Sequence, residues 1–174
     1  MLDERGEDVA ELVTASTIDY YGELLALTLE ADEQTLRGRR LIDRMTILLL
    51  RHRFPAPELH ALDGRGLLVL GVEEGMVGTE DVVAADLGEV EVSGDTAVAE
   101  AITAEGAGPG LNWEFRREGG RWRIDLTAPL PIANLALEQA AAESGLPEDD
   151  FVFRLIEATT GTQVQEDIWD PPSR

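Results

Sequence analysis

Residues 113–126, Trp-Glu-Phe-Arg-Arg-Glu-Gly-Gly-Arg-Trp-Arg-Ile-Asp-Leu, form two alternating runs around a Gly-Gly turn. A two-residue loop at Gly119-Gly120 dictates every pair behind it. It sets Glu118 against Arg121, Arg117 against Trp122, Phe115 against Ile124 and Trp113 against Leu126. On the opposite face it pairs Arg116 with Arg123, Glu114 with Asp125 and Asn112 with Thr127. One register sorts apolar from polar on both strands, and a slip of one residue would exchange the two faces. The chain therefore has to contain an antiparallel ribbon here.

Composition narrows the rest. A chain of 174 residues with 44% apolar content suits one globular domain, able to bury roughly 70% of its unfolded surface without a metal or disulfide. Cysteine is absent, which excludes a disulfide framework, a thiolate zinc site and a cysteine nucleophile. The formal charge is −21, and all 14 basic residues are arginine. Such a balance argues against nucleic acid and anionic membranes as partners. It fits a salt-adapted surface or a GC-rich coding bias. No run approaches the roughly 20 apolar residues of a membrane span. The first residues, Met-Leu-Asp-Glu-Arg-Gly-Glu-Asp, lack the regions of a secretory leader. The expectation is a soluble, cytoplasmic protein with no metal and no cofactor.

Along the chain, Val9, Leu12, Val13, Tyr20, Leu24, Leu27 and Ala31 recur at helical spacing and predict a helix over 7–31. Asp32-Glu-Gln34 breaks the pattern and can cap a second helix over 35–53, with Leu41, Met45, Leu48 and Leu49 as its buried stripe. Phe54-Pro-Ala-Pro57 ends it. A third, glycine-laced helix is expected over 58–74, then a turn at Gly75–Gly78. Strands are expected over 82–92, 96–104, 111–118 and 121–127. Gly94-Asp95 turns the first hairpin, setting Val92 against Ala97, Val90 against Ala99 and Glu89 against Glu100, with Ala107–Gly110 as the middle loop. Pro131 suits the start of a helix to Ser144, closed by Gly145. A last helix, 148–160, should bury Phe151, Leu155 and Ala158 and end at Gly161. Trp169 is the apolar anchor of an acidic tail.

This order, with the Trp-x-Phe…Gly-Gly-x-Trp-x-Ile-x-Leu ribbon and Tyr20-Tyr-Gly-Glu-Leu-Leu25 in the first helix, resembles the nuclear transport factor 2-like superfamily, also called SnoaL-like or cystatin-like. The resemblance implies an α+β fold in which N-terminal helices pack on a curved antiparallel sheet of four or more strands, forming a cone. It would span residues 1–128, with 129–174 a C-terminal helical extension packed on the same domain. It implies a pocket for a small apolar ligand, lined by Tyr20, Leu24, Met45, Trp113 and Phe115. The superfamily holds both enzymes and binding modules, so fold does not select a function. The first reading is a non-catalytic ligand-binding or interaction module, expected as a homodimer. The alternative is a small-molecule isomerase, lyase or hydrolase working by acid–base chemistry.

For the alternative, the resemblance offers Tyr20 or Tyr21 as the tyrosine of an oxyanion hole, Asp43 as a base, and Glu114 or Asp125 as carboxylates projecting from the sheet. Each has a plainer role. Tyr20 belongs to an apolar stripe, and Asp43 sits among Arg39, Arg40 and Arg44 as an ion-paired surface acid. Glu114 and Asp125 are like charges across a ladder; a shared proton or a bound cation would relieve them, and so, more plainly, would Arg116 and Arg123 on the diagonals. His52 and His60 have no ligand spacing. Arg37, Arg40, Arg44 and Arg51 share one face of the expected second helix, whereas residues 1–33 hold ten acids against one arginine and 138–170 nine against one. Intramolecular pairing with those acidic segments is the plain expectation. A bound anion or the acidic face of a second subunit is the functional one.

Overall fold

The computed structural model describes residues 3–77, 86–103 and 106–173. Among them, eight α-helices and one four-stranded antiparallel sheet make an α+β protein. The helices are α1 (Asp3–Leu12), α2 (Ala15–Glu30), α3 (Glu33–Arg37), α4 (Leu41–Arg53), α5 (Ala56–Leu59), α6 (Gly64–Glu73), α7 (Leu130–Ser144) and α8 (Glu148–Thr160). The strands β1 (Asp86–Ser93), β2 (Thr96–Thr103), β3 (Gly106–Glu118) and β4 (Arg121–Asp125) form a meander in that order. A short 3-10 turn spans Glu166–Trp169. The chain divides into two compact units, Met1–Gly22 with Asp63–Ile132, and Glu23–Leu62 with Ala133–Arg174.

In the first unit the expected helix over 7–31 is broken. Thr14 is the reason: its hydroxyl accepts from the Thr17 N–H at 3.2 Å, capping the first turn of α2. Val13, freed from helical geometry, makes a parallel bridge to Ile124. Leu12, expected in the core, is 60% exposed at the end of α1. Ala10, Val13 and Leu68 form the core here, with Ile18, Tyr21 and Ile124 packed on it. The expected helix over 58–74 is also two, α5 and α6, because Asp63 caps α6 by accepting from the Gly66 N–H at 2.8 Å. At the crossing of α2 and α6 a Cβ on Gly64 would lie 2.6 Å from the Ile18 carbonyl oxygen and 2.7 Å from the Gly22 nitrogen. Only glycine fits there.

The sheet follows the expected ribbon. Gly119 and Gly120 both have positive φ, 57° and 80°, as a primed two-residue turn requires. Behind them stand Glu118↔Arg121, Arg117↔Trp122, Arg116↔Arg123, Phe115↔Ile124 and Glu114↔Asp125. β4 stops at Asp125, so the further pairs Trp113 with Leu126 and Asn112 with Thr127 do not form. The Gly94-Asp95 hairpin gives Val92↔Ala97 and Val90↔Ala99 as expected. Beyond Val90 the register shifts, so Gly88 and Glu89 both stand against Glu100, and the expected direct Glu89–Glu100 pair is replaced by a bulge. Residues 107–110 are not a loop but part of β3. Pro109, which has no N–H for a ladder, lies in a second register shift between Glu100↔Asn112 and Ile102↔Ala107. The predicted strand residues 82–85 and 104, and Gly78 of the predicted turn, lie outside the described residues.

In the second unit the expected helix 35–53 is interrupted. Within the expected capping segment 32–34 it is Asp32 that caps α3, accepting from the Thr35 N–H at 2.9 Å; the Thr35 side chain and N–H together lower its pKa. Gly38 then closes α3 by donating to the Thr35 carbonyl, and α4 restarts at Leu41, ending before Phe54-Pro55 as expected. Arg37 therefore lies on a different helix from Arg40, Arg44 and Arg51. The buried face of α4 carries Leu41, Ile47, Leu48 and Leu50, while Met45 and Leu49 are only half-buried. α8 buries Val152 and Ile156 rather than Phe151, Leu155 and Ala158. Its bounds and the left-handed Gly161 that ends it match expectation.

Candidate functional site

The best-defined polar constellation lies in the first unit, where the start of α2 meets β4. The Thr14 N–H donates to the Ile124 carbonyl at 2.9 Å, which fixes the helix end against the strand. A helix N-terminus favours negative charge, and the sheet supplies two carboxylates. Glu118 Oε2 accepts from the Ala15 N–H at 3.1 Å. Asp125, 5% exposed, accepts from Ser16 Oγ at 3.3 Å and Thr17 Oγ1 at 3.5 Å. It also accepts from the Thr127 N–H at 3.0 Å and Thr127 Oγ1 at 2.6 Å. Arg116 Nε stands 3.8 Å from the same carboxylate. Both oxygens of Asp125 thus accept from donors of the chain itself, three on Oδ1 and Ser16 on Oδ2.

The like-charge pair Glu114↔Asp125 is relieved by this arrangement. Asp125 turns into the hydroxyl cluster, and Glu114 stays in water. Arg116 takes the diagonal role expected of it. Arg123 does not: it donates to the carbonyl oxygens of Glu11 and Val13 and lies 3.9 Å from Glu118. Tyr21 packs into the core around Ala10, Val13 and Leu68, and burial pushes its phenol up to about 12. Tyr20 stands edge-on to it, ring centroids 5.4 Å apart. The hydroxyls that donate to Asp125 are those of Ser16, Thr17 and Thr127.

The apolar lining residues divide between the units. Trp113 is buried with Ala99, and Phe115 and Ile124 pack on that pair. Leu24 is buried and Met45 half-buried in the second unit. Around Trp113 the same sheet face continues into exposed apolar residues. Strand alternation and the register put Leu87, Val90, Val92 and Trp122 on the Trp113 side, and they are 54%, 49%, 63% and 41% exposed. Arg117 is the charged ladder residue on this face. Val98 points the other way, flanked by Glu91 and Glu114. Sequence alternation alone marks these residues as inward, but it cannot show that Ile124 and Asp125 of β4 are covered while Trp122 and the apolar side chains of β1 are exposed.

In the second unit the arginines find acids of the same unit. Arg37 pairs with Glu33 and Asp149, which together raise its pKa. Arg39 pairs with Glu23, and Arg44, almost fully buried, with Glu148. Asp43 is buried rather than a surface acid, and Arg40 holds it through two bonds of 2.8 and 3.0 Å. The expected pairing with the acidic C-terminal segment is therefore present in Arg37 and Arg44. His52 meets Thr162 at 2.7 Å. The described residues contain no cluster of three or more metal-ligating side chains, and no helix among them is long and apolar enough to cross a membrane. No family model matches the chain, and no curated protein or solved structure matches it.

Proposed function

We propose that this chain is a non-catalytic binding module of nuclear transport factor 2-like architecture, whose sheet receives a small apolar ligand on its Trp113 face. The observation that carries the reading is the run Leu87, Val90, Val92 and Trp122, left exposed beside buried Ala99 and Trp113. Exposed apolar side chains gathered on one sheet face are seldom without a use. The face also lacks carboxylates among its named ladder residues, in a chain of net charge −21. An apolar ligand there therefore dehydrates no carboxylate of these ladder residues, and Arg117 stands at the turn end of the face. In this reading α1, α2 and α6 close one end of a cone, and α7 and α8 form the C-terminal extension. Against the acid–base alternative stand the donors on Asp125, the Arg40 bonds to Asp43 and the packing of Tyr21 in the core.

The test is titration with an apolar fluorescent probe such as anilinonaphthalene sulfonate, alongside sedimentation across a range of protein concentrations. Saturable probe binding that Val90→Glu abolishes, with cooperative unfolding preserved, is the expected result. A concentration-dependent dimer disrupted by the same substitution would replace the ligand with a second copy as occupant of this face. A monomer that binds no apolar probe would overturn the proposal.

A further inference from the structure

The C-terminal segment is held in the second unit by groups that do not depend on it. Arg51, in the last turn of α4, donates through Nε to the Thr28 carbonyl at 2.8 Å. Its Nη2 donates to the carbonyls of Leu27 and Ala31 at 3.2 and 2.6 Å. Most of the guanidinium is thereby committed to the carbonyl end of α2, which needs such donors. Only Nη1 serves the tail, reaching the carbonyls of Trp169 at 2.7 Å and Ile168 at 3.4 Å. Arg37, fixed by Glu33 and Asp149, lies over the Trp169 ring at 4.7 Å. Phe153 of α8 stands 5.9 Å from the same ring.

The tail itself contributes little else. Ile168 is buried and Trp169 half-buried, but Gln165, Asp167 and Asp170 are exposed. Its backbone turn is internal, with the Ile168 N–H on the Gln165 carbonyl and the Asp170 N–H on the Asp167 carbonyl. Burial lowers the Arg51 pKa to about 10 while Asp170 pushes it back up. The guanidinium is still a cation at neutral pH, and an acidic neighbour favours that state. A guanidinium over an indole and charge-assisted bonds to carbonyls are both recognition contacts that survive exchange of the occupant.

We propose that the second unit carries a preformed recognition site for an acidic segment bearing an adjacent aliphatic–aromatic pair, and that residues 165–170 are its resident, exchangeable occupant. The site reads an Ile side chain, an indole under Arg37 and two carbonyls on Arg51, with carboxylates facing water. A second chain offering the same features competes for it.

The experiment uses the full chain with Ile168→Asp and Trp169→Ala to release the tail, and a fluorescent peptide of residues 162–173 added in trans. Fluorescence anisotropy should show the released variant binding the peptide about tenfold or more tightly than wild type, because on wild type the peptide must first displace the occupant. Arg37→Gln in the released background should weaken that binding severalfold. Equal binding to both proteins, or none to the released variant, would overturn the proposal. So would loss of cooperative unfolding in the released variant, which would make the segment part of the core.

Discussion

Asp125 concentrates on one carboxylate the work of joining helix to sheet. Alanine there would take the acceptor from the Thr127 hydroxyl and N–H and one partner each from the Ser16 and Thr17 hydroxyls, which keep Thr14. Buried polar groups left unpaired are costly, so Asp125→Ala should lower stability by about 2–4 kcal/mol in urea unfolding. Asp125→Asn keeps one carbonyl acceptor and should cost about half as much. Tyr21 makes a pH-dependent prediction. Its folded pKa of about 12 lies above the ordinary value of 10, so the neutral phenol is favoured in the fold. The stability this confers is complete below pH 10 and is lost as pH rises through 12, at a slope of about 1.4 kcal/mol per pH unit. Tyr21→Phe should flatten that alkaline decline, followed by thermal unfolding at each pH.

Among elements, the crossing of α2 and α6 separates two glycines that sequence cannot tell apart. Gly64→Ala drives a methyl into the backbone of Ile18 and Gly22 and should cost about 3 kcal/mol or more, as overpacking does. Gly22→Ala meets only the Gly64 Cα, at 3.8 Å. It should be neutral or stabilising by up to about 1 kcal/mol through helix propensity. Paired thermal melts decide both. The ribbon of β3 and β4 was legible because a two-residue turn leaves one register. The helices were legible in place but not in their breaks. Thr14 and Asp63 are capping residues inside periodic apolar patterns, and periodicity reads straight through a cap. The Gly-Pro-Gly of residues 108–110 has loop composition, yet a strand can absorb it as a bulge. The hydroxyl cluster was hidden for another reason: Ser16 and Thr17 lie 109 and 108 residues from Asp125, and no local pattern encodes a pairing of that span.

At the scale of the whole molecule, the charge of −21 is a standing repulsion that folding must overcome. Several of its arginines are already bound to acids of their own unit, so they neutralise neighbours rather than the surface at large. Raising salt from near zero towards 1 M shortens the Debye length to about 3 Å, and the melting temperature should rise with it. A melting temperature that falls over that range would contradict a salt-adapted surface. The division into two units bears on how the chain is made. Neither unit is a continuous stretch: Met1–Gly22 is completed by Asp63–Ile132, and Glu23–Leu62 by Ala133–Arg174. Chains are delivered from the N-terminus and bodies fold as units. During synthesis the opening 62 residues emerge as two unfinished halves, each waiting for a later instalment. The second waits longest, until the ribosome has supplied the segment that follows the β-meander. Exposed apolar surface on α4 is therefore unavoidable until that segment arrives, which leaves the nascent chain open to aggregation over that interval.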